Sequence, residues 1–154
     1  MSLADQLADV QASVLNAVDR DAVLEAAAGM LACREAGADD LHRSLLARER
    51  LGSTAIGHGI AIPHGRSPVL EAPRGALLRL RPAVDFNASD GQEVDLVFAM
   101  AVPDHYTHQH LMLLSELAER FSDERFRAAL RNAPDAQAMR ALLLDQTPSF
   151  ETRA

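Results

Sequence analysis

Apolar and polar residues alternate at helical spacing in two stretches of the first third of the chain. One predicted helix opens at Asp19 or Asp21, either of which can cap its N-terminus, and its apolar residues then recur three and four positions apart. A second predicted helix opens at Asp39 or Asp40 and ends at Gly52. Both patterns are typical of helices that bury one face and expose the other.

Short strands are predicted in the middle of the chain. Residues 52–65 combine glycines with β-branched residues, a composition that favours strands over helix. Residues 75–80 form another predicted strand, and the nearly continuous apolar run VDLVFAMAV at 94–102 indicates a central strand buried on both faces. A weaker alternation over residues 10–18 indicates an edge strand around residues 12–15.

The last third of the chain is predicted to be helical. We expect one face of its first helix to lie in the core rather than to bind a partner. That face carries Leu111, Leu114, Leu117, Ala118 and Phe121. Asp123 opens a shorter helix, and Pro134 with Asp135 opens a last helix that runs to Leu144.

The order of these elements predicts an α/β fold. Helices precede and follow the strands, which indicates a mixed, mostly parallel central sheet flanked by helices on both faces. The 154 residues suffice for one domain without metals or disulfides as staples. We expect a single domain over residues 1–154, with a core at about 10–145 and a loose tail at 146–154.

Charge and composition exclude several classes of function. The net charge is −7 and the chain contains scattered arginines but no lysine, so catalysis by a lysine amine is excluded. An acidic chain repels a phosphate backbone, so we expect no nucleic-acid ligand. Cys33 is the single cysteine, which excludes an internal disulfide. With no secretory signal and no run of roughly 20 apolar residues, the sequence predicts a cytoplasmic protein without membrane insertion.

Histidines are grouped at two predicted strand ends. His58 and His64 flank the segment GIAIP, and His105, His108 and His110 follow the buried strand. Because α/β folds place their sites at strand ends, both groups are candidates for chemistry.

His64 lies in the segment GIAIPHGR. Pro63 fixes its own backbone angle and Gly65 permits an immediate turn, so the imidazole is held rigidly. A neutral imidazole is a competent nucleophile near pH 7. The alternative, a histidine that caps a β-turn, fits the local sequence equally well. The glycines around His58 match neither a dinucleotide-binding nor a P-loop pattern, since Ile62 replaces a glycine and no lysine follows.

A metal site is a further alternative for the second histidine group. His105, His108 and His110 could act together with His64. However, His108 and His110 are two positions apart and diverge on a helix, and the i, i+4 pair typical of zinc ligands is missing. We therefore expect neither a metal nor a cofactor.

Three segments resemble one bacterial family. RERLGSTAIGHGIAIPHGR at 48–66 is similar to the signature of enzyme IIA domains of the fructose-mannitol class of the phosphotransferase system, especially their nitrogen-regulatory branch. DGQEVDLVFAMAVP at 90–103 and THQHLMLLSELAERFSD at 107–123 resemble the central strand and the following helix of these domains. The resemblance covers the chain from about residue 22 to residue 144.

The resemblance implies a site of three residues. The histidine of the PHG motif accepts the phosphoryl group in this family, which implies His64. The arginine of R-E-x-x-G-S-T implies Arg48, and the second histidine, in T-x-x-H-L, implies His110. His58 stands where these domains usually carry Asn or an acidic residue, so the resemblance leaves its role open. These residues imply a phosphohistidine carrier rather than an enzyme that acts on a small molecule.

The resemblance also implies partners. A phosphocarrier protein of the HPr type would donate to His64, and the phosphorylation state would control regulatory targets such as sensor kinases or potassium transporters. One alternative is a sugar-transport IIA component that passes the phosphoryl group to a fructose or mannitol IIB protein. Another is a non-catalytic regulatory binding module in which His64 is vestigial.

Overall fold

The computed structural model describes residue 7 and residues 9–145. The strands are β1 (Asp9–Leu15), β2 (Ala55–Gly57), β3 (Ile60–Ala61), β4 (His64–Ser67), β5 (Arg74–Val84) and β6 (Val94–Pro103). The helices are α1 (Arg20–Leu31), α2 (Ala38–Leu51), α3 (His108–Phe121), α4 (Glu124–Asn132) and α5 (Ala136–Leu144). The predicted tail at 146–154 lies outside the described residues.

The six strands form one mixed sheet. Its order is β1-β5-β6-β3-β2, and β4 continues along the same edge of β6 as β3. β1 pairs in parallel with β5, and both β3 and β4 run parallel to β6. The pairs β5–β6 and β2–β3 are antiparallel. This confirms the α/β fold with a mixed, mostly parallel sheet and the predicted edge strand at its start.

Helices cover both faces of the sheet. On one face, α1 and α2 pack over a core that includes Val97 and Ala99 of β6. On the other, α3, α4 and α5 pack over Leu96, Phe98 and Met100. Successive side chains of a strand point to opposite faces, so β6 supplies both cores. The prediction of a central strand buried on both sides is therefore confirmed.

Aspartate caps begin most of the helices. Asp19 precedes α1 and accepts a hydrogen bond from the amide of Ala22, and Asp123 and Asp135 cap α4 and α5 in the same way. The start of α2 was predicted one or two residues late, because Gly37 is its N-cap. Asp39 and Asp40 lie in its first turn, where carboxylates stabilise the positive end of the helix dipole.

The buried face of α3 differs from the predicted one. Its buried residues are His110, Leu113, Leu117 and Phe121, whereas Leu111 is 67% exposed. The prediction was right for Leu117 and Phe121 and wrong for Leu111. The reason is that His110, a polar residue, occupies a core position one residue before Leu111 and so sets the start of the buried stripe.

Within residues 7 and 9–145, no helix combines the length and apolar character needed to cross a lipid bilayer.

Candidate functional site

His64 lies at a break in the sheet edge. β3 and β4 are aligned end to end against β6, with Ile60 opposite Leu96 and His64 opposite Met100. Pro63 separates the two strands because it has no amide hydrogen to donate to the ladder. β2 pairs with β3 but not with β4. The half-buried ring of His64 therefore lies at a strand edge that no further strand covers in the described part of the chain.

The ring of His64 is held in one tautomer. Its Nδ1 lies 2.9 Å from the carbonyl oxygen of Ile62. A carbonyl oxygen can only accept, so Nδ1 carries the hydrogen and Nε2 keeps its lone pair. Burial lowers the pKa of His64, the bond to Ile62 opposes this shift, and the positive charge of Arg48 adds to it. The ring is thus neutral near pH 7 and presents Nε2 as a nucleophile.

His110 meets His64 edge-on from the first turn of α3. The two ring centroids are 5.1 Å apart and the ring planes are at 87°. His110 is buried, and neither of its ring nitrogens has a hydrogen-bond partner within the described residues. Burial first, and then the nearby His64 and Arg66, lower the pKa of His110 to about 4. A buried imidazole with unpartnered nitrogens is suited to form a hydrogen bond with a ligand held beside the two rings.

Arg48 lies in the last turn of α2. Its Nη1 donates to the carbonyl oxygen of Gly52 at 2.8 Å. A guanidinium has five N–H donors, so this bond leaves others for a phosphate. The positive charge of Arg48 is felt at the ring of His64, whose pKa it lowers. The structure thus places the rings of His64 and His110 in contact and Arg48 near enough for its charge to act on the His64 ring.

Glu49 is a neighbour of the site that the sequence reasoning did not assign. It is buried, and its two carboxylate oxygens accept from the amide of Thr54 at 2.9 Å and from its hydroxyl at 2.6 Å. These bonds fix the turn that follows α2, and the negative charge raises the pKa of His64. Its place beside Arg48 in the R-E-x-x-G-S-T segment was the available signal.

Arg66 is the second unassigned neighbour. It lies two residues after His64, and its Nη1 donates to the carbonyl oxygens of Pro103, Asp104 and Tyr106. Those carbonyls belong to the end of β6 and the loop before α3. Sequence alone could not show this contact, because it joins segments far apart in the chain.

A comparison with family models assigns the chain to one family. Residues 7–146 match the model described as "Phosphoenolpyruvate-dependent sugar phosphotransferase system, EIIA 2". The chain belongs to this family.

Relatives and solved structures agree with that assignment. The nitrogen regulatory protein of Pseudomonas aeruginosa is 42% identical over 125 residues, which cover 80% of this chain and 81% of that protein. The nitrogen regulatory protein of Escherichia coli K12 is 40% identical over 104 residues, covering 66% of this chain and 63% of that protein. The crystal structure of nitrogen regulatory protein IIA-Ntr from Neisseria meningitidis superposes with a TM-score of 0.80 at 37% identity, covering 88% of this chain and 92% of that one. This IIA domain is thus similar to nitrogen-regulatory members of its family.

His58, whose role the resemblance left open, is not a neighbour of His64 in this IIA domain. It occupies the turn between β2 and β3 with a positive φ of 59°, and its amide donates to Asp90 at 3.1 Å. Its carbonyl accepts from Arg131. The four strand positions from Ile60 to His64 alone span about 13 Å, and His58 lies beyond Ile60. Two glycines flank His58, and their turn lies near the start of β6, whereas His64 lies beside a position farther along β6.

The remaining histidines near α3 do not join His110. His105 and His108 are exposed, and the ring of His105 packs against Tyr106 with centroids 5.0 Å apart. In the part of the chain that the structure describes, no three His, Cys, Asp or Glu side chains converge as a metal site would require.

Proposed function

We propose that this IIA domain accepts a phosphoryl group on Nε2 of His64 from the phosphohistidine of an HPr-type phosphocarrier protein. The observation that carries the proposal is the bond from Nδ1 of His64 to Ile62, which leaves Nε2 as the free nucleophilic nitrogen at an open sheet edge. Family membership supplies the reaction class, since the family is part of a phosphoenolpyruvate-dependent phosphotransferase system. We place this exchange in the cytoplasm.

The transfer exchanges one phosphorus–nitrogen bond for another. The lone pair on Nε2 of His64 attacks phosphorus, the phosphorus–nitrogen bond of the donor breaks, and its electron pair returns to the donor nitrogen. Nδ1 of His64 keeps its hydrogen throughout, so no net proton transfer is needed. Catalysis then consists of positioning and of stabilising charge on the three equatorial oxygens.

Arg48 and His110 are suited to that charge. Arg48 carries a permanent positive charge on a planar group whose fork matches phosphate oxygens. His110 is neutral near pH 7 because its pKa is about 4, so one of its nitrogens carries a hydrogen that it can donate to a phosphoryl oxygen. Both groups are held in advance by a helix, which avoids reorganisation during transfer.

Phosphorylation of His64 would change how targets bind. A phosphoryl group adds negative charge and three strong acceptor oxygens, and it would lie at the open edge of the sheet. A partner that covers this edge would therefore distinguish the two states. The similarity to nitrogen regulatory proteins supports a regulatory role, with sensor kinases or potassium transporters as candidate targets.

A donor phosphotransfer assay tests the acceptor. The wild type, incubated with phosphoenolpyruvate and the phosphocarrier system, should gain one phosphoryl group, and His64→Ala should gain none. His105→Ala removes an exposed histidine from the neighbouring loop and should behave as the wild type. Phosphorylation of His64→Ala at the wild-type level would refute the proposal. Unchanged target binding and an unchanged phenotype in His64→Ala would instead favour the non-catalytic binding module.

The same assay tests Arg48 and His110 through the rate of transfer. Arg48→Met and His110→Ala should each accept the phosphoryl group at the same histidine but about 10²- to 10³-fold more slowly, as expected for loss of one preorganised donor. Wild-type rates in both variants would exclude these two residues from charge stabilisation.

Delivery of the phosphoryl group to a sugar transporter is the second candidate function. The family description names a sugar phosphotransferase system, which favours it. Its site would be the same, and the difference lies in the acceptor. Rapid, sugar-dependent loss of the phosphoryl group in the presence of a fructose or mannitol IIB protein would favour transport, whereas a stable phosphorylated form would favour regulation.

A further inference from the structure

β4 directs two charged or reactive side chains to one face. Gly65 and Ser67 are buried, whereas His64 is half-buried and Arg66 is exposed, so the strand alternates. Residues two apart on a strand share a face, and Arg66 therefore lies on the same side as His64. The buried side is tightly packed: the amide of Arg66 donates to the hydroxyl of Ser44 on α2 at 2.9 Å. This packing fixes the backbone from which both side chains extend.

The side chain of Arg66 donates hydrogen bonds to carbonyl groups at the end of β6 and in the β6–α3 loop. Its Nη1 lies 3.1 Å from the carbonyl oxygen of Asp104 and 3.3 Å from that of Pro103, and it also donates to the carbonyl of Tyr106. The backbone of β4 adds one further bond, from the amide of Asp104 to the carbonyl of Ser67 at 3.1 Å. Hydrogen bonds from a charged donor are stronger than neutral ones, so this contact holds the loop firmly.

The position of His110 depends on that loop. His110 follows Tyr106 by four residues, and the N-cap residue of α3, Thr107, makes no side-chain cap bond. The ring nitrogens of His110 have no hydrogen-bond partner among the described residues that could orient the ring. The approach of His110 to His64 is therefore set by the path of the loop and the start of α3.

We propose that Arg66 is a positioning residue that holds the β6–α3 loop so that the His110 ring stays against the His64 ring, beside the site that the phosphoryl group would occupy. The inference rests on the proposed function of His64 and goes beyond it. In this arrangement Arg66 aligns His110, and Arg66 lies on the same strand as His64. One strand, β4, therefore fixes the positions of both histidines.

The charge of Arg66 has a second effect in the same place. It lowers the pKa of both His64 and His110. The other charged groups that act on His64 are Arg48 and Glu49 of α2, with opposite signs. Removal of the Arg66 charge should therefore raise the pKa of both rings, an effect that a purely structural contact would not produce.

Three substitutions separate the positioning effect of Arg66 from the effect of its charge. Arg66→Met removes both, Arg66→Lys keeps the charge but loses the planar donor group, and Arg34→Met removes an exposed arginine elsewhere as a matched control. At saturating donor, Arg66→Met should transfer about 10- to 100-fold more slowly, the range expected for a misplaced catalytic group. Arg66→Lys should recover part of the rate, and Arg34→Met should match the wild type.

Ring NMR of the unphosphorylated protein provides the independent readout. In the wild type, nuclear Overhauser contacts should join the rings of His64 and His110; in Arg66→Met they should weaken and both titrations should move to higher pH. Arg66→Lys should keep the wild-type titrations but show weaker ring contacts. Unchanged ring contacts in both variants would overturn the inference, and so would a wild-type transfer rate in Arg66→Met. If the wild type itself accepts no phosphoryl group, the proposed function fails, while the ring contacts still test the role of Arg66.

Discussion

At the scale of single residues, the sequence accounts for the rigidity of the His64 ring, and the structure accounts for its free nitrogen. The P-H-G sequence predicts a rigid imidazole, and the structure adds which nitrogen is free, because Nδ1 bonds to the carbonyl of Ile62. That bond depends on the side-chain rotamer and on the break at Pro63. Neither can be deduced from local sequence, which is why a turn histidine and a nucleophile fitted equally well.

Burial of His110 makes the stability of the domain depend on pH. Its pKa is about 4 in the fold against 6.5 as the ordinary value. Between these values the unfolded chain binds more protons than the folded one. The contribution of His110 to the free energy of unfolding is therefore complete above about pH 6.5 and is lost as the pH decreases toward 4. Denaturant unfolding should show that His110→Leu loses less stability than the wild type between pH 7 and pH 5. Between pH 7 and pH 8 the two proteins should respond alike, and equal losses below pH 7 would contradict this account.

Phosphorylation should change the titration of His110. A phosphoryl group on His64 places negative charge beside the His110 ring, whose centroid lies 5.1 Å from that of His64, and nearby negative charge favours the protonated form. The pKa of His110 should therefore rise above about 4 on phosphorylation. Histidine ring NMR across the pH range measures this directly. His64→Ala, treated with the same donor system, should show no such change, and an unchanged titration in the phosphorylated wild type would argue against a shared site.

At the scale of elements, the apolar pattern predicted the strands and helices whose buried positions are filled by apolar residues. β6 and the capped start of α1 were anticipated, since a continuous apolar run and an aspartate cap have few alternatives. The buried stripe of α3 was not, because a histidine at position 110 counts as polar in a pattern although it lies in the core. Such a mismatch between pattern and burial is expected where a helix contributes to a functional site, as we propose for the start of α3.

The contact between β4 and α2 leaves no room for a side chain at position 65. A Cβ added to Gly65 would lie 2.6 Å from the hydroxyl oxygen of Ser44 and 3.0 Å from its Cβ. Gly65→Ala should therefore lower the free energy of unfolding by about 1–3 kcal/mol, as overpacking does. It should also slow phosphotransfer, since α2 carries Arg48. Denaturant titration measures the first effect and the donor assay the second.

Gly29 provides the matched control for that substitution. It lies inside α1, and an added Cβ would meet nothing within 4 Å. Gly29→Ala should raise the free energy of unfolding by up to about 1 kcal/mol through helix propensity. If both substitutions changed stability in the same direction and by similar amounts, close packing at Gly65 would not explain its effect.

At the scale of the whole molecule, arginines stabilise the C-terminal ends of the helices. Each of the five described helices ends with a main-chain carbonyl that accepts a hydrogen bond from an arginine side chain. The donors are Arg74, Arg48, Arg127, Arg79 and Arg120 for α1 to α5 in that order. Positive charge at this end also opposes the negative pole of the helix dipole. The sequence shows the absence of lysine, but which arginine bonds to which helix end appears only in the fold.

Arg79 offers the clearest test of this arrangement. From β5 its Nη1 donates to Leu130 and Ala133 at the end of α4, at 2.9 and 2.8 Å. Arg79→Met should lower the free energy of unfolding by about 2 kcal/mol or more, because carbonyls lose a charged donor. Arg34→Met, at an exposed position, should change it by less than about 0.5 kcal/mol. Similar losses in the two variants would mean that the helix-end contact contributes little.

We predict above all that phosphoryl transfer takes place at Nε2 of His64, at the edge where β4, α2 and α3 meet. Nitrogen–phosphorus NMR of the protein phosphorylated by its donor system tests it most directly, because the coupling identifies both the histidine and the ring nitrogen. We predict coupling of phosphorus to Nε2 of His64, with Nδ1 still bonded to hydrogen. Phosphorus on Nδ1 of His64, or on any other histidine, would contradict the account.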